Sequence, residues 1–189
     1  MIFASNNEGK IKEVKMVLKN YNIYSLKDKN IDIEVEEDVD TFLGNAKKKA
    51  IEIYNITHEE VIADDSGLCV DCLDGFPGVM THRFLGDDST PEMRNEYLIN
   101  EVNKHSNRGA TFVCNMVYYN GKEIIVGEGI LNGTISKECR GENGFGFDRI
   151  FEFKKRVTLG EISLSEKNRI GARALALKDL KKKLDKYRK

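Results

Sequence analysis

The order of apolar patterns along the chain constrains its architecture more than any other feature. Short strand-like runs alternate with helical patterns in the first half, beginning with Ile2-Phe3-Ala4 and the helical spacing of apolar residues between Ile11 and Leu18. Two apolar runs then flank the dipeptide Asn120-Gly121, which is typical of a β-hairpin. Alternating strands and helices followed by a hairpin predict an α/β fold with a mixed, rather than purely parallel, sheet.

Capping and turn residues mark the other predicted elements. Thr90-Pro91 combines a helix-capping side chain with proline at the first helical position, and we expect Met93, Tyr97 and Val102 to form the buried face of that helix. Asn132-Gly133 predicts a second turn. The remaining elements are strands at 23–26 and 61–63, and helices starting near Glu8, starting near Thr41 and spanning about 166–186.

Composition places the chain among ordinary globular proteins. Its 189 residues suffice for one domain with a substantial core, and 40% of them are apolar. The 30 basic and 31 acidic residues nearly balance, which argues against a dedicated nucleic-acid binder, although the lysine-rich last helix leaves an auxiliary contact open. No run approaches the ~20 apolar residues that span a bilayer, and no signal peptide is evident. We therefore expect a cytoplasmic protein that does not bind membranes.

Four cysteines include one close pair, Cys69 and Cys72. This C-x-x-C spacing is found in redox pairs and in halves of zinc sites, but Cys114 and Cys139 are far apart and form no second pair. The segment 68–73 is interpreted as a strand, so we favour small apolar side chains in or near the sheet over either kind of site.

The polar loop after the first predicted strand is a candidate phosphate site. It offers backbone N–H groups, hydroxyl and amide side chains and one lysine beside a helix N-terminus, where anions bind. It matches neither the P-loop nor the dinucleotide-binding glycine pattern, and an ordinary turn with a helix cap is the competing interpretation. The loop residues are Ser5, Asn6, Asn7, Glu8, Gly9 and Lys10.

Two acidic segments are candidates for a metal site. Asp64-Asp65-Ser66-Gly67 follows an apolar strand, and adjacent carboxylates require a nearby positive charge, for which Mg²⁺ is suited. Because neighbouring strand residues point to opposite faces, only one of the two aspartates need face the site. Glu36 or Glu37 could join it. The competing interpretations are a charged edge strand, beginning with the alternation at 31–35 and overlapped by the acidic run, and an acidic turn at 64–67.

A glycine-rich loop and two late cations complete the candidate set. The loop places Phe145 and Phe147 between glycines, which allows a ring to stack on a ligand, and Asp148 could accept a hydrogen bond from a base. Lys167 and Arg173 lie six residues apart, so they share a helix face only if the helix begins between them. A hairpin loop with buried rings, and ordinary surface charge, are the competing interpretations.

These segments, in this order, resemble the inosine-triphosphate pyrophosphatase family. The matches cover residues 5–177, nearly the whole chain, and the Asp-Asp-Ser-Gly-Leu block with its Gly-x-Pro-Gly tail is the most specific part. The matching motifs are Ser5 to Lys10; Thr41-Phe42 with Asn45-Ala46 and Lys49-Ala50; Ala63 to Leu68 with Gly75 and Pro77-Gly78-Val79; Gly144 to Asp148 with Ile150-Phe151; and Ser165 to Asn168 with Arg173-Ala174 and Ala176-Leu177.

The resemblance implies one two-lobed nucleotide pyrophosphatase domain over residues 1–189, with an elongated mixed sheet flanked by helices and a central cleft. It implies a Mg²⁺-dependent homodimer that cleaves ITP, dITP and XTP between the α and β phosphates. By position, Asp65 is implied as general base and, with Glu37, as metal ligand, and Lys10 is implied in catalysis. The implied substrate contacts are Ser5 to Lys10, Lys49, Ser66, Phe145, Gly146, Phe147, Asp148, Lys167, Ala172 and Arg173.

Three positions depart from the family pattern. Gly171-Ala172 stands where the family often has Ser-His before arginine, Phe147 replaces a more polar ring, and Val39 replaces a frequent glycine. The missing histidine removes one possible contact to the base. Three rival functions stay open. They are a pyrophosphatase for modified pyrimidine nucleotides, a nucleic-acid-binding protein whose affinity would fall with salt, and a metal-binding structural protein that uses Cys69 and Cys72.

Overall fold

A computed structural model describes residues 1–81, 83–86 and 88–188. Within those residues, a seven-stranded sheet is flanked by five α-helices. The helices are α1 (Glu8–Val17), α2 (Phe42–Thr57), α3 (Pro91–Val102), α4 (Leu164–Ile170) and α5 (Ala172–Tyr187). The strands are β1 (Ile2–Phe3), β2 (Tyr24–Ser25), β3 (Val61–Val70), β4 (Gly109–Tyr119), β5 (Ile124–Ile135), β6 (Phe151–Lys154) and β7 (Val157–Thr158).

The sheet is mixed and has the strand order β2-β1-β3-β4-β5-β6-β7. β1 lies parallel to β2 and β3, whereas each neighbouring pair from β3 to β7 is antiparallel. The prediction of an α/β fold with a mixed sheet is therefore confirmed. Among the helices described, none is long and apolar enough to cross a membrane.

β3 is longer than the sequence pattern predicts. The sequence predicts a strand at 61–63 that leads into the acidic segment 64–67, with an acidic turn as the competing interpretation of that segment. In the structure every residue of β3 pairs with β4, from Val61 opposite Tyr119 to Val70 opposite Ala110, so the competing interpretation is wrong. Antiparallel pairing along the whole strand satisfies the backbone hydrogen bonds of the acidic segment, so this segment does not need a turn to do so. The two aspartates therefore lie inside a strand and not in a loop.

Two further segments differ from the strand interpretation. Cys69 lies on β3, but Cys72 lies in a single 3₁₀ turn, Asp71–Leu73, so the segment 68–73 is only partly a strand. The segment 31–35 forms no strand. Its apolar residues Ile31, Ile33 and Val35 pack against the α2 core, while Asp32 and Glu34 are exposed. Side-chain alternation in that segment reflects burial against a helix rather than pairing in a sheet.

The predicted hairpin is confirmed at Asn120-Gly121, where Gly121 adopts a φ of +90°. The second predicted turn is wrong, because β5 runs through Asn132-Gly133 without interruption. Close packing explains the glycine there, since a Cβ at position 133 would lie 2.3 Å from the Glu152 carbonyl oxygen and 2.6 Å from the Phe151 ring.

Two predictions about the helices also need correction. Of the predicted buried face of α3, Val102 is buried, but Met93 and Tyr97 are 52 and 38% exposed because the helix packs through the side that carries Leu98. The predicted last helix is two helices, α4 and α5. Gly171 has extended backbone angles and separates them.

Apolar side chains pack on both faces of the sheet. One cluster joins α1 and α5 to the face of β3 and β4 that carries Ile62 and Met116. A second joins α2 to the opposite face, which carries Ala63 and Val117. A third lies toward the other end of the sheet, around α3 and β6. Helices thus cover both sides of β3 at the level of its acidic segment.

Candidate functional site

The candidate site lies where β1 ends. The last pairing of β1 with β3 joins Phe3 to Ile62, and the Ala4 N–H donates to the Ile62 carbonyl oxygen at 2.8 Å. In the described part of the chain, no strand of the sheet pairs with β3 on this side beyond that point, and the next backbone pairing is an isolated bridge between Cys69 and Pro77. Asp64 and Asp65 occupy this opening, and their side chains leave opposite faces of the sheet because neighbouring strand residues alternate. Charged side chains from both faces of the sheet can therefore reach this opening.

On the face that carries α1 and α5, six charged side chains form a row of alternating sign, here named the six-charge row. In order of contact its members are Lys10, Asp64, Arg173, Glu13, Lys167 and Asp148. The distances between successive nitrogen and oxygen atoms are 3.2, 3.1, 2.6, 2.7 and 2.6 Å, and each side chain is at most 10% exposed. Three buried cations thus neutralise three buried carboxylates.

The cations determine the pKa values of these carboxylates. Burial alone would raise the pKa of Asp64, but Lys10 and Arg173 outweigh it and hold that pKa below its usual value. The pKa of Glu13 is lowered in the same way, since its two cationic neighbours outweigh burial. At the end of the row, where the carboxylate has a single cationic partner, burial prevails and raises the pKa of Asp148.

The Phe145 ring lies against two cations of the row. Lys167 Nζ is 4.3 Å from the ring centroid and Arg173 Cζ is 5.5 Å from it, within the range of cation–π attraction. The Phe145 N–H donates to Asp148 Oδ2 at 2.7 Å, which fixes the loop. A Cβ on Gly9 would lie 2.6 Å from the ring, so the N-terminal loop approaches this closely because residue 9 has no side chain. These contacts hold the Phe145 ring, a planar surface against which a ligand could stack, in a fixed position.

A cavity of about 230 Å³ opens beside this ring. The second aromatic residue of the glycine-rich loop, Phe147, is only 4% exposed and stacks on Phe84. Phe147 therefore forms part of the cavity wall and also belongs to the hydrophobic core. Arg173 Nη2 donates to Ser66 Oγ at 2.9 Å within the lining. The predicted site residues that line the cavity are Asn7, Ser66, Phe145, Gly146, Phe147, Asp148, Lys167, Ala172 and Arg173. Largely apolar walls with a few convergent polar groups suit a planar, polar ligand.

On the opposite face, which carries α2, Asp65 and Glu37 form a second charged group. Lys49 Nζ lies 2.7 Å from Glu37 Oε1, and Asn45 Nδ2 donates to Asp65 Oδ2 at 3.0 Å. Burial raises the pKa of Asp65 to about 6, with the charge of Glu37 adding to the shift and Lys49 opposing it. Lys10 acts electrostatically on both carboxylates. The two faces therefore form one electrostatic unit at the opening.

Asp65 and Glu37 fit a divalent cation that retains water or phosphate ligands. The hydrogen bonds to Asp65 come from Asn45 and the Ser66 N–H, which are neutral donors and leave its charge available to a cation. Among the residues described, no group of three or more His, Cys, Asp or Glu is arranged to hold a metal alone. Two carboxylates suit Mg²⁺, which usually binds through one or two of them together with substrate phosphates.

The predicted phosphate loop surrounds the N-terminus of α1. Asn7 caps α1 by accepting the Lys10 N–H at 3.1 Å, and Ser5 Oγ accepts the Asn7 N–H at 3.1 Å. Asn6 and Glu8 are exposed and lie outside the buried group. Glu36 is exposed as well, whereas Glu37 contacts Lys49, so the structure brings only Glu37 of this pair into the site.

Sequence reasoning missed two residues of the site. Glu13 joins two cations of the six-charge row, and Asn45 hydrogen-bonds Asp65, yet neither was among the predicted site residues. The helical spacing of the sequence could have identified both residues. Glu13 lies three residues after Lys10, and Asn45 lies four before Lys49, so each shares a helix face with a predicted residue.

Comparisons with known proteins agree along nearly the whole chain. Residues 1–183 match the sequence model of the Ham1 family. A dITP/XTP pyrophosphatase of Clostridium tetani is 41% identical over 99% of this chain and 96% of its own length, and one of Clostridium perfringens is 44% identical over 97% and 96%. The solved structure of the Staphylococcus aureus Ham1 protein superposes with a TM-score of 0.89 at 34% identity, covering 98% of both chains.

These matches confirm the resemblance that the motifs indicated. Identity above 40% over at least 97% of the chain leaves no segment of substantial length outside the shared sequence. The superposition extends the agreement to the arrangement of the sheet and helices. This chain belongs to the Ham1 family.

Proposed function

We propose that this chain hydrolyses nonstandard purine nucleoside triphosphates, among them dITP, ITP and XTP, to the monophosphate and pyrophosphate. The observation that carries the proposal is that Ser66, which lines the ring-binding cavity, directly follows Asp65, one of the two carboxylates suited to a divalent cation. A nucleobase suits the cavity, and a triphosphate with its bound cation suits the pair of carboxylates. Relatives that are named dITP/XTP pyrophosphatase support the same substrate class.

In this proposal the base lies against the Phe145 ring. Lys167 and Arg173 line the cavity and present only hydrogen-bond donors. Donors suit the 6-oxo group of hypoxanthine and xanthine and oppose the 6-amino group of adenine. Asp148 would accept a hydrogen bond from the base edge, whereas Ala172 offers no polar contact. Guanine shares the 6-oxo group, so discrimination against GTP depends on the 2-position of the base.

The triphosphate would extend from the cavity to the opening of β3. Its contacts there would come from Ser5, Asn6, Asn7, Glu8, Gly9, Lys10, Lys49 and Ser66. Lys10 and Lys49 lie on opposite faces of the sheet, and both act electrostatically on Asp65. A chain of phosphates between them would receive positive charge from both sides.

Hydrolysis would proceed by attack of water on the α-phosphorus. The proton of that water passes to Asp65, the bond from the α-phosphorus to the bridging oxygen breaks, and its electron pair leaves with pyrophosphate. Lys10 and Lys49 stabilise the charge that develops on the leaving group. Mg²⁺ held by Asp65 and Glu37 would supply charge neutralisation and water activation. An Asp65 pKa of about 6 suits a proton acceptor near neutral pH.

We further propose that residues 1–189 form one two-lobed domain, that the enzyme is a homodimer and that it works in the cytoplasm on the nucleotide pool. Self-association is supported by Met80, Met93 and Tyr97, whose apolar side chains are 43, 52 and 38% exposed. Exposed apolar side chains indicate a protein interface when they form one contiguous patch, so the proposal requires these three residues to be covered together by the partner.

The test is pyrophosphate release from a panel of ATP, GTP, ITP, XTP, dITP, dUTP and methylated UTP, with and without Mg²⁺. We expect release chiefly from ITP, dITP and XTP and only with the metal. The Asp65→Asn variant should lose about 10²–10⁴-fold in kcat, whereas Asp32→Asn, which changes an exposed aspartate, should keep normal activity. Faster turnover of the pyrimidine nucleotides would favour the rival substrate class, and an active Asp65→Asn variant would remove Asp65 from its role.

A further inference from the structure

We infer that Asn45 is a positioning residue that holds the two halves of the proposed cation site, Glu37 and Asp65, at their working separation. This inference rests on the proposed function, because it concerns the same pair of carboxylates. Asn45 itself is not expected to contact the substrate or the cation. It acts through the two segments that it joins.

Asn45 bridges two segments that are far apart in sequence. Its Oδ1 accepts the Val39 N–H at 3.0 Å, and its Nδ2 donates to Asp65 Oδ2 at 3.0 Å. A backbone N–H only donates and a carboxylate only accepts, so the amide oxygen and nitrogen can be assigned without ambiguity. One side chain thus connects the segment that carries Glu37 to the middle of β3.

The side chain sits on a rigid support. Asn45 is fully buried, and the next turns of α2 carry Ala46, Ala50 and Ile53, which are buried completely in the core. Lys49, one turn along, contacts Glu37 from the same helix face. Because α2 is fixed by its apolar face, the amide holds Asp65 and the main chain at Val39 relative to one rigid body.

A neutral amide is chemically suited to this place. Asp65 already lies near the charge of Glu37, so a third carboxylate would increase repulsion in the empty site, and a cation would compete with the bound metal. The amide orients Asp65 by donating to one carboxylate oxygen while adding no charge. Partners that orient metal ligands in this way typically contribute about 10–100-fold to metal affinity.

The variant Asn45→Leu tests the inference, because leucine has a similar size and can make neither hydrogen bond. The measurement is Mn²⁺ binding to the nucleotide-free protein, followed by electron paramagnetic resonance of the unbound ion. We expect the dissociation constant for Mn²⁺ to rise about 10–100-fold. The metal concentration that half-saturates pyrophosphate release should rise in parallel, while the KM for ITP at saturating metal changes less than about three-fold.

The matched control is Ile53→Ala, which removes core packing from the same helix face without changing the amide. It should lower the unfolding temperature but leave Mn²⁺ affinity within two-fold of normal. If Asn45→Leu does not fold, Asn45→Ala is measured instead, with the same loss of affinity expected. Mn²⁺ affinity within two-fold of normal in the folded Asn45 variant would overturn the inference.

The variant Asp65→Asn distinguishes failure of the positioning role of Asn45 from failure of the proposed cation site. If Asp65→Asn loses Mn²⁺ binding but the Asn45 variant does not, the site stands and the positioning role is wrong. If the unmodified protein binds no Mn²⁺, or Asp65→Asn binds it normally, both the site and the inference are overturned.

Discussion

Replacing Glu13 by glutamine should destabilise the folded protein strongly, although the change removes only one charge. Glu13 contacts Arg173 Nη1 at 2.6 Å and Lys167 Nζ at 2.7 Å, and its side chain is 3% exposed. The six-charge row holds three cations and three carboxylates, so the variant leaves it with an excess of one positive charge. Each side chain of the row is at most 10% exposed, so little solvent is available to compensate that excess.

The expected magnitude follows from the burial of the row. Removing one partner of a buried ion pair typically costs about 3–5 kcal/mol, and Glu13 is a partner in two pairs. Domains are usually stable by only about 5–15 kcal/mol, so the variant should fold but unfold easily. In a chain of this length each kcal/mol corresponds to about 2–4 °C, which predicts a melting temperature roughly 6–20 °C lower.

Urea and thermal unfolding followed by circular dichroism measure this loss. Glu34→Gln is the matched control, because Glu34 is exposed, and it should change stability by less than about 0.5 kcal/mol. The double variant Glu13→Gln with Lys167→Met restores equal numbers of charges, so it should lose less than the sum of the two single variants. A Glu13→Gln loss below about 1 kcal/mol, or strictly additive losses, would refute the view of the row as a coupled, neutral unit.

Two further changes should have separate effects on folding and on metal use. In Gly129→Ala, the added Cβ would lie 1.9 Å from the Ala172 carbonyl oxygen, so we expect a loss of about 1–3 kcal/mol or more in urea unfolding, and unchanged stability would contradict the tight packing of α5 on β5. Lowering the pH from 7.5 to 5.5 protonates a carboxyl group whose pKa is about 6, so the ionised fraction of Asp65 and the apparent metal affinity should fall roughly four-fold. Equal half-saturating Mg²⁺ at both pH values would contradict that assignment.

Elements with local chemical signals were predictable from the sequence. The Thr90 side chain accepts the Met93 N–H at the start of α3, and the dipeptide Asn120-Gly121 turns the hairpin. The N-terminus of α1 was also predicted, and Asn7 caps it. Each of these features depends on residues within a few positions of one another, so one sequence contains all the information required.

Features that depend on distant neighbours were not predictable in this way. Gly133 resembles a turn residue in sequence but is required by the approach of β6 to β5. Met93 and Tyr97 have helical spacing, but the packing partners of α3 bury a different side of the helix. The extended backbone of Gly171 divides the last helix, although the apolar stripe continues on both sides. In each case tertiary contact selects one of several locally acceptable arrangements.

The geometry of the site depends on one interruption in the sheet. Asp64 and Asp65 must leave opposite faces of β3, so in the interior of a complete sheet their side chains would be separated by the backbone layer. Because the pairing of β1 with β3 ends at Phe3, β3 has a free edge next to the aspartates. Cations from α1 and α2 then reach the same opening from both faces, and Lys10 and Lys49 each act on both aspartates. A short first strand is therefore a requirement of the site, because extending β1 past Ala4 would close the edge and separate the base-binding face from the metal-binding face.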